Sequence, residues 1–176
     1  MMKILYSPAS YVHVSHIPEF FNISETKDAT LLNFWLLRHK ALTALPNDWQ
    51  PNDAIVMLVL SYWHLIPITS HLIGGHLLRV KLTEQSSALI SDSRLLAFIS
   101  LPLRHQVNFK GTDPIDTISL GASFILHQLH ELPEALYQRL ILHFPAEMRL
   151  PNIFSPRTLN HRNLLRMALS YARHYY

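Results

Sequence analysis

The sequence predicts an all-α fold, a single compact domain of about six or seven helices with an irregular N-terminal arm. Three observations carry this reading. Apolar residues recur at helical spacing over several stretches, and cap residues or prolines open most of those stretches. Only four glycines accompany eleven prolines, which argues against a turn-rich β fold. At 176 residues with 49% apolar content, one core is the default.

The elements follow in order. Residues 1–27 carry Pro8, Pro18 and little periodicity, and read as the arm. Asp28 precedes a helix over 29–45, where Leu31, Phe34, Trp35, Leu37, Leu42 and Leu45 recur at helical spacing. Pro46-Asn47-Asp48 and Pro51-Asn52-Asp53 bracket Trp49 as a turn, and Asp53 is placed to cap a helix over 54–64. Pro67 opens a short helix that Gly74-Gly75 is expected to end. Residues 77–82 alone hint at a period of two. Ser91 or Asp92 caps a helix that stops at Leu101, before Pro102. Thr112-Asp113-Pro114 starts another through Leu129, and Pro133 starts one over 134–144 that Pro145 ends. Ser155-Pro156 opens the last helix, which runs to about His174.

Composition narrows the function classes. Charged residues make up 15% of the chain, where about 25% is usual, so apolar side chains remain for a partner after a core is filled. With no cysteine there is neither a disulfide framework nor a thiolate metal site. A net charge of +3 is too small to imply a polyanionic partner, but its distribution is uneven. After Glu147 come Arg149, Arg157, Arg162, Arg166 and Arg173 with no acidic residue among them. Twelve histidines titrate near neutrality, and most read as surface or half-buried side chains.

Residues 54–78 contain no Asp, Glu, Lys or Arg, a length sufficient to span a bilayer at about 20 residues. His64, Pro67, Thr69, Ser70, His71, Gly74, Gly75 and His76 interrupt the run, so a buried helical hairpin is expected instead. No secretory signal is read, because Met1 to Tyr6 reaches Ser7-Pro8 before a hydrophobic region forms.

Catalytic signatures are sparse. Gly74-Gly75 lacks the lysine and hydroxyl of a phosphate-binding loop, and Ser123 follows Gly121-Ala122 inside an apolar helix rather than in a nucleophile elbow. The nearest approach to a metal site is His127, His130, Glu131 and Glu134, which helical steps of three and four would place on one face. Pro133 breaks that helix before Glu134 joins, so an ordinary polar helix end is the expectation and a metal-dependent enzyme the rival. The pairs His13 with His16 and His71 with His76 have no nearby carboxylate in sequence.

The C-terminal helix bears a clearer pattern. Arg162, Arg166 and Arg173 fall within about 40° of one another at 3.6 residues per turn, opposite Leu164, Leu165, Ala168, Ala172 and Tyr175. This is a solvated basic face over a packed one, or a strip that meets an acidic protein surface. Nucleic acid is disfavoured, because no aromatic is interleaved with the arginines to stack on bases. Trp35 and Trp63 read as core, and Trp49 as a lid or an exposed partner anchor. The candidate partner-binding residues are therefore Trp49, Arg162, Arg166 and Arg173. Removing residues 155–176 is expected to leave the rest partly folded and to abolish one contact.

The arm Tyr6-Ser7-Pro8-Ala9-Ser10-Tyr11-Val12-His13, followed by Ile17-Pro18, resembles the opening of the type III secretion sorting-platform adaptors, the SctK family with its YscK, OrgA and MxiK branches. Trp63-His64-Leu65-Ile66-Pro67, Leu72-Ile73-Gly74 and Leu78-Arg79 are similar to that family's central pattern. Gly121, the Pro133 break and Arg139-Leu140-Ile141-Leu142-His143-Phe144-Pro145 are similar to its C-terminal half. The resemblance spans about residues 6–145 and leaves the last helix unmatched. It implies a non-enzymatic cytoplasmic adaptor at the cytosolic face of the bacterial inner membrane. That adaptor would bridge the cytoplasmic domain of the inner-membrane ring protein (SctD-like) and the pod protein (SctQ-like), with an indirect link to the stator and ATPase. It brings no catalytic residue, cofactor or metal, and no nucleic acid or direct membrane insertion.

Overall fold

The computed structural model describes residues 1–21, 26–85, 92–103, 107, 109, 116–129, 131–150, 153–154 and 158–176; side chains at 26, 27 and 83–85 are outside that description. Eight α-helices lie among the described residues: α1 (Met2–Tyr6), α2 (Thr26–His39), α3 (Ala54–Ser61), α4 (Ile66–Gln85), α5 (Ser93–Ile99), α6 (Thr117–Gln128), α7 (Glu134–Ile141) and α8 (Leu159–Tyr175). Short 3-10 turns occupy Pro8–Ser10, Val14–His16 and Trp63–Leu65. A lone antiparallel bridge pairs Phe109 with Phe154. The all-α class is the one the sequence predicts.

Two compact units make up the chain. One comprises Met1–Asn52 and Glu131–Met148, the other Asp53–His130 and Arg149–Tyr176.

In the first unit the segment expected to be an irregular arm is instead built from α1 and two 3-10 turns. Five residues are too few to display a helical period, and packing on α7 supplies the stability that so short a helix lacks. Ile4 and Leu5 of α1, Leu32 and Leu36 of α2, and Ala135, Leu136, Leu140, Leu142 and Phe144 are buried. Arg139 is buried with them at 2% exposure, its guanidinium hydrogen-bonded to three carbonyls. Its Nε donates to the Leu5 carbonyl at 3.0 Å, and its Nη1 donates to the carbonyls of Thr43 (2.9 Å) and Ala135 (2.7 Å). Helix α2 stops at His39, short of the predicted Leu45. Ala41 adopts a left-handed φ of 47°, the Leu42 N–H bonds the Leu37 carbonyl, and the Ala41 N–H bonds that of Arg38. These are the two bonds of a Schellman stop, made without the usual glycine.

In the second unit Asp53 and Asp92 cap α3 and α5 as the sequence predicts, whereas α6 and α8 start later than predicted, after Asp116 and Thr158. Asp53 accepts from the Ile55 N–H at 2.7 Å, and Asp92 accepts from the N–H groups of Arg94 and Leu95 at 3.0 Å each. Asp116 caps α6 through the Ser119 N–H. The start signals at Thr112-Asp113-Pro114 and Ser155-Pro156 lie outside the described residues. No single helix among the described residues is long and apolar enough to cross a membrane. The uncharged stretch turns by 82° between Ala54–Ser61 and Trp63–Leu82, an elbow rather than the expected hairpin.

Gly74-Gly75 does not end a helix either. α4 continues through it and through 77–82, because the glycines serve packing. A Cβ on Gly74 would collide with the Thr117 carbonyl of α6, and a Cβ on Gly121 with the Ser70 carbonyl of α4. Ser70 and Gly74, four apart, thus face Gly121 and Thr117, four apart in the reverse order. This is a small-xxx-small crossing that lets two backbones approach within contact distance. His71 reinforces it, with Nδ1 2.7 Å from the Thr117 hydroxyl and Nε2 3.3 Å from Asp92. Helix α8 closes this unit by burying Leu164, Leu165, Ala168, Leu169 and Ala172. Truncation of residues 155–176 would therefore remove a buried face of this unit as well as the arginine strip.

Candidate docking surfaces

Of the four candidate contact residues, Trp49 belongs to the first unit. Its N–H closes a turn on the Pro46 carbonyl at 3.1 Å, and the residue is half-buried. The three arginines lie on the exposed side of α8, as their spacing predicts, yet they differ in what they touch. Arg162 Nη2 donates to Asp53 Oδ2, so it braces the carboxylate that caps α3. Arg173 lies over the Tyr62 ring, with Cζ 5.4 Å from its centroid. Arg166 has no ion pair or ring partner among the described residues. It lines a shallow groove of 370 Å³ with Leu101, Met167, Ser170, Tyr171, His174 and Tyr175. The rings of Tyr171 and Tyr175 meet there at 4.4 Å in a tilted pair, and Arg94 lies 4.6 Å over the Tyr176 ring. The surface is apolar and aromatic with a cationic edge, suited to a partner with apolar residues beside a carboxylate.

A second surface, on the first unit, escapes the reading of periodicity. Helical spacing singles out Leu31, Phe34 and Trp35 on α2, and Trp35 reads as core. Leu32 and Leu36 are buried instead, while Leu31 is 58% and Phe34 62% exposed and Trp35 is half-buried. With Phe20 and Phe21 they line a trough of 640 Å³. Phe21 meets the edge of Trp35 at 6.1 Å, Trp35 stacks on His39 at 4.4 Å, and Arg38 Cζ lies 5.6 Å over Phe34. The signal was present in the chain. Six of the seven residues 31–37 are apolar, more than one buried face of a helix requires.

The residues that come nearest to a metal-binding pattern in the sequence do not form a site that can be described. His127 packs against Phe154 and His161 (centroids 5.9 and 6.3 Å), His130 lies outside the described residues, and Glu131 is exposed. Among the described residues no three His, Asp or Glu side chains gather where they could hold one metal ion.

The segments that carry the family resemblance are inward-facing. Tyr11 donates its hydroxyl to the Ile4 carbonyl at 2.6 Å and stacks on His143 at 4.8 Å. Burial pushes its phenol pKa upward, against the opposing pull of Arg139. The His13 N–H bonds the Leu142 carbonyl at 2.7 Å, and the Ala9 N–H bonds the Asn33 side chain at 2.8 Å. His16 Nε2 donates to the Phe144 carbonyl at 2.8 Å. The opening motif and the Arg139 to Pro145 motif, more than 120 residues apart, are therefore the two halves of one packed unit.

No curated protein and no solved structure matches the chain. A family model does, over residues 1–174, and it reaches the last helix that the motifs alone left unmatched. The chain belongs to the bacterial type III secretion apparatus protein family OrgA_MxiK.

Proposed function

We propose that this chain is a non-enzymatic adaptor of the sorting platform. It would bridge the cytoplasmic domain of the SctD-like inner-membrane ring protein and the SctQ-like pod protein at the cytosolic face of the inner membrane. The observation that supports this is that each unit exposes its own apolar, cation-edged surface, along α2 in one and α8 in the other. A bridge needs two contacts, and each surface presents large apolar and aromatic side chains that could anchor one of them. Within the α8 strip, Arg166 is assigned to direct contact. Arg162 and Arg173 act by holding Asp53 and Tyr62, and Trp49 is the remaining anchor of the first unit.

The test is co-purification of the tagged chain with the ring and pod proteins encoded beside it. A ternary complex is expected that forms only when this chain is present. Arg166→Glu is expected to remove one neighbour and keep the other. Failure to bind either neighbour defeats the adaptor reading. Unchanged binding of both by Arg166→Glu defeats the assignment to α8.

A further inference from the structure

Leu31, Phe34, Trp35 and Arg38 stand at i, i+3, i+4 and i+7, a single stripe along α2 that turns outward. Phe20, 75% exposed, and Phe21 raise a wall beside the stripe, so the surface is a trough rather than a flat patch. A trough of this kind accepts a convex, rod-like object, and an amphipathic helix meets a groove through the same i, i+3, i+4, i+7 spacing.

Charge along α2 fixes the polarity of that object. Asp28 lies in the first turn, and Arg38, His39 and Lys40 cluster at the last, all three exposed. Arg38, exposed, lies over the Phe34 ring at the rim. A docked helix running antiparallel to α2 would set its own N-terminal turn beside this cluster. Helices carry acidic residues in that turn, and antiparallel dipoles attract. The concave wall disfavours a second copy, whose own α2 would bring another Phe20–Phe21 wall into the same space.

We propose that the α2 trough is the docking site for an amphipathic helix of a partner protein, with large aliphatic residues on one face and acidic residues in its first turn. The proposal rests on the adaptor reading for which proteins can supply that helix. Phe34 and Leu31 are its apolar anchors, and Arg38 fixes register and direction.

The test uses the full-length chain with the purified pod protein and the ring protein's cytoplasmic domain, by titration calorimetry and light scattering. Phe34→Glu is expected to weaken one of the two contacts at least about 30-fold, the scale of a buried anchor. Arg38→Glu is expected to weaken the same contact about 10-fold at low salt, and less at high salt. Both side chains are exposed, so the helical circular dichroism and melting point should be unchanged. Wild-type affinity of Phe34→Glu for both neighbours overturns the trough while leaving the adaptor reading intact. Binding of neither neighbour by the wild-type chain overturns both. A wild-type dimer that Phe34→Glu converts to monomer overturns the proposal in favour of self-association.

Discussion

Tyr11 stacks on His143 across 132 positions of sequence, its hydroxyl held by the Ile4 carbonyl and its ring beside the motif that Arg139 begins. The pair explains why two distant motifs accompany one another in this chain. Each supplies partners for backbone groups the other would leave buried and unsatisfied.

Arg139 is where this dependence is most exposed to test. Arg139→Leu preserves bulk but leaves the carbonyls of Leu5 and Thr43 without their donor. It should destabilise the protein by about 3 kcal/mol or more. Arg139→Lys should recover little, since one ammonium cannot replace a planar fork aimed at three carbonyls. Urea denaturation of the three proteins measures both effects.

Gly74→Ala and Gly121→Ala should each cost about 3 kcal/mol, because the new methyl meets a backbone carbonyl of the facing helix that cannot move aside. Gly75→Ala meets the Leu95 side chain, which can rotate, and should cost about 1 kcal/mol. Thermal melts of the three variants should preserve this order. Equal costs would show that α4 and α6 can slide apart freely.

Two buried histidines set a pH dependence. Burial lowers the pKa of His16, and nearby Lys40 and His13 lower it further against the Phe144 carbonyl and Glu147; its Nδ1 is buried without a partner among the described residues. Burial also lowers His161, whose Nδ1 accepts the Thr158 N–H at 2.9 Å and must be unprotonated to do so. The folded value lies below the unfolded one in both, so the unfolded chain binds the proton more readily. Stability is therefore full above about pH 6.5 and falls as pH drops below it. Melting points between pH 5 and 8 should show that slope, and the double variant His16→Gln with His161→Gln should flatten it.

Ala41 holds a left-handed turn that glycine adopts without penalty. Ala41→Gly should stabilise the protein by up to about 1 kcal/mol, net of the extra freedom glycine gains when unfolded. An unchanged or lower midpoint in urea would mean that the Ala41 methyl makes contacts worth more than the strain.

What could be read in the sequence divides along physical lines. Local chemistry was legible: Asp53 and Asp92 cap helices because a carboxylate just ahead of a helical segment can accept the N–H groups its first turn leaves free. The exposure of Arg162, Arg166 and Arg173 followed from their spacing. Their partners did not, since Asp53 and Tyr62 lie more than 100 positions away. Periodicity found the apolar residues of α2 but could not say which stripe faced inward, because 31–37 is apolar on nearly every side. Gly74-Gly75 reads as a stop by composition. Only the facing Thr117 and Ser70 reveal that the glycines are there for closeness. The short α1 is held by tertiary contacts that no five-residue window displays.

The order of segments along the chain governs how it can be made. The first unit begins with residues 1–52 and is completed only by residues 131–148, and the second unit resumes at residue 149. On the ribosome, the opening motif must wait for more than 120 further residues before Arg139 and His143 emerge to meet it. No single cleavage within 53–148 releases an intact half. The two surfaces are therefore carried on interleaved stretches of one chain, and neither unit can be made or cut away without part of the other.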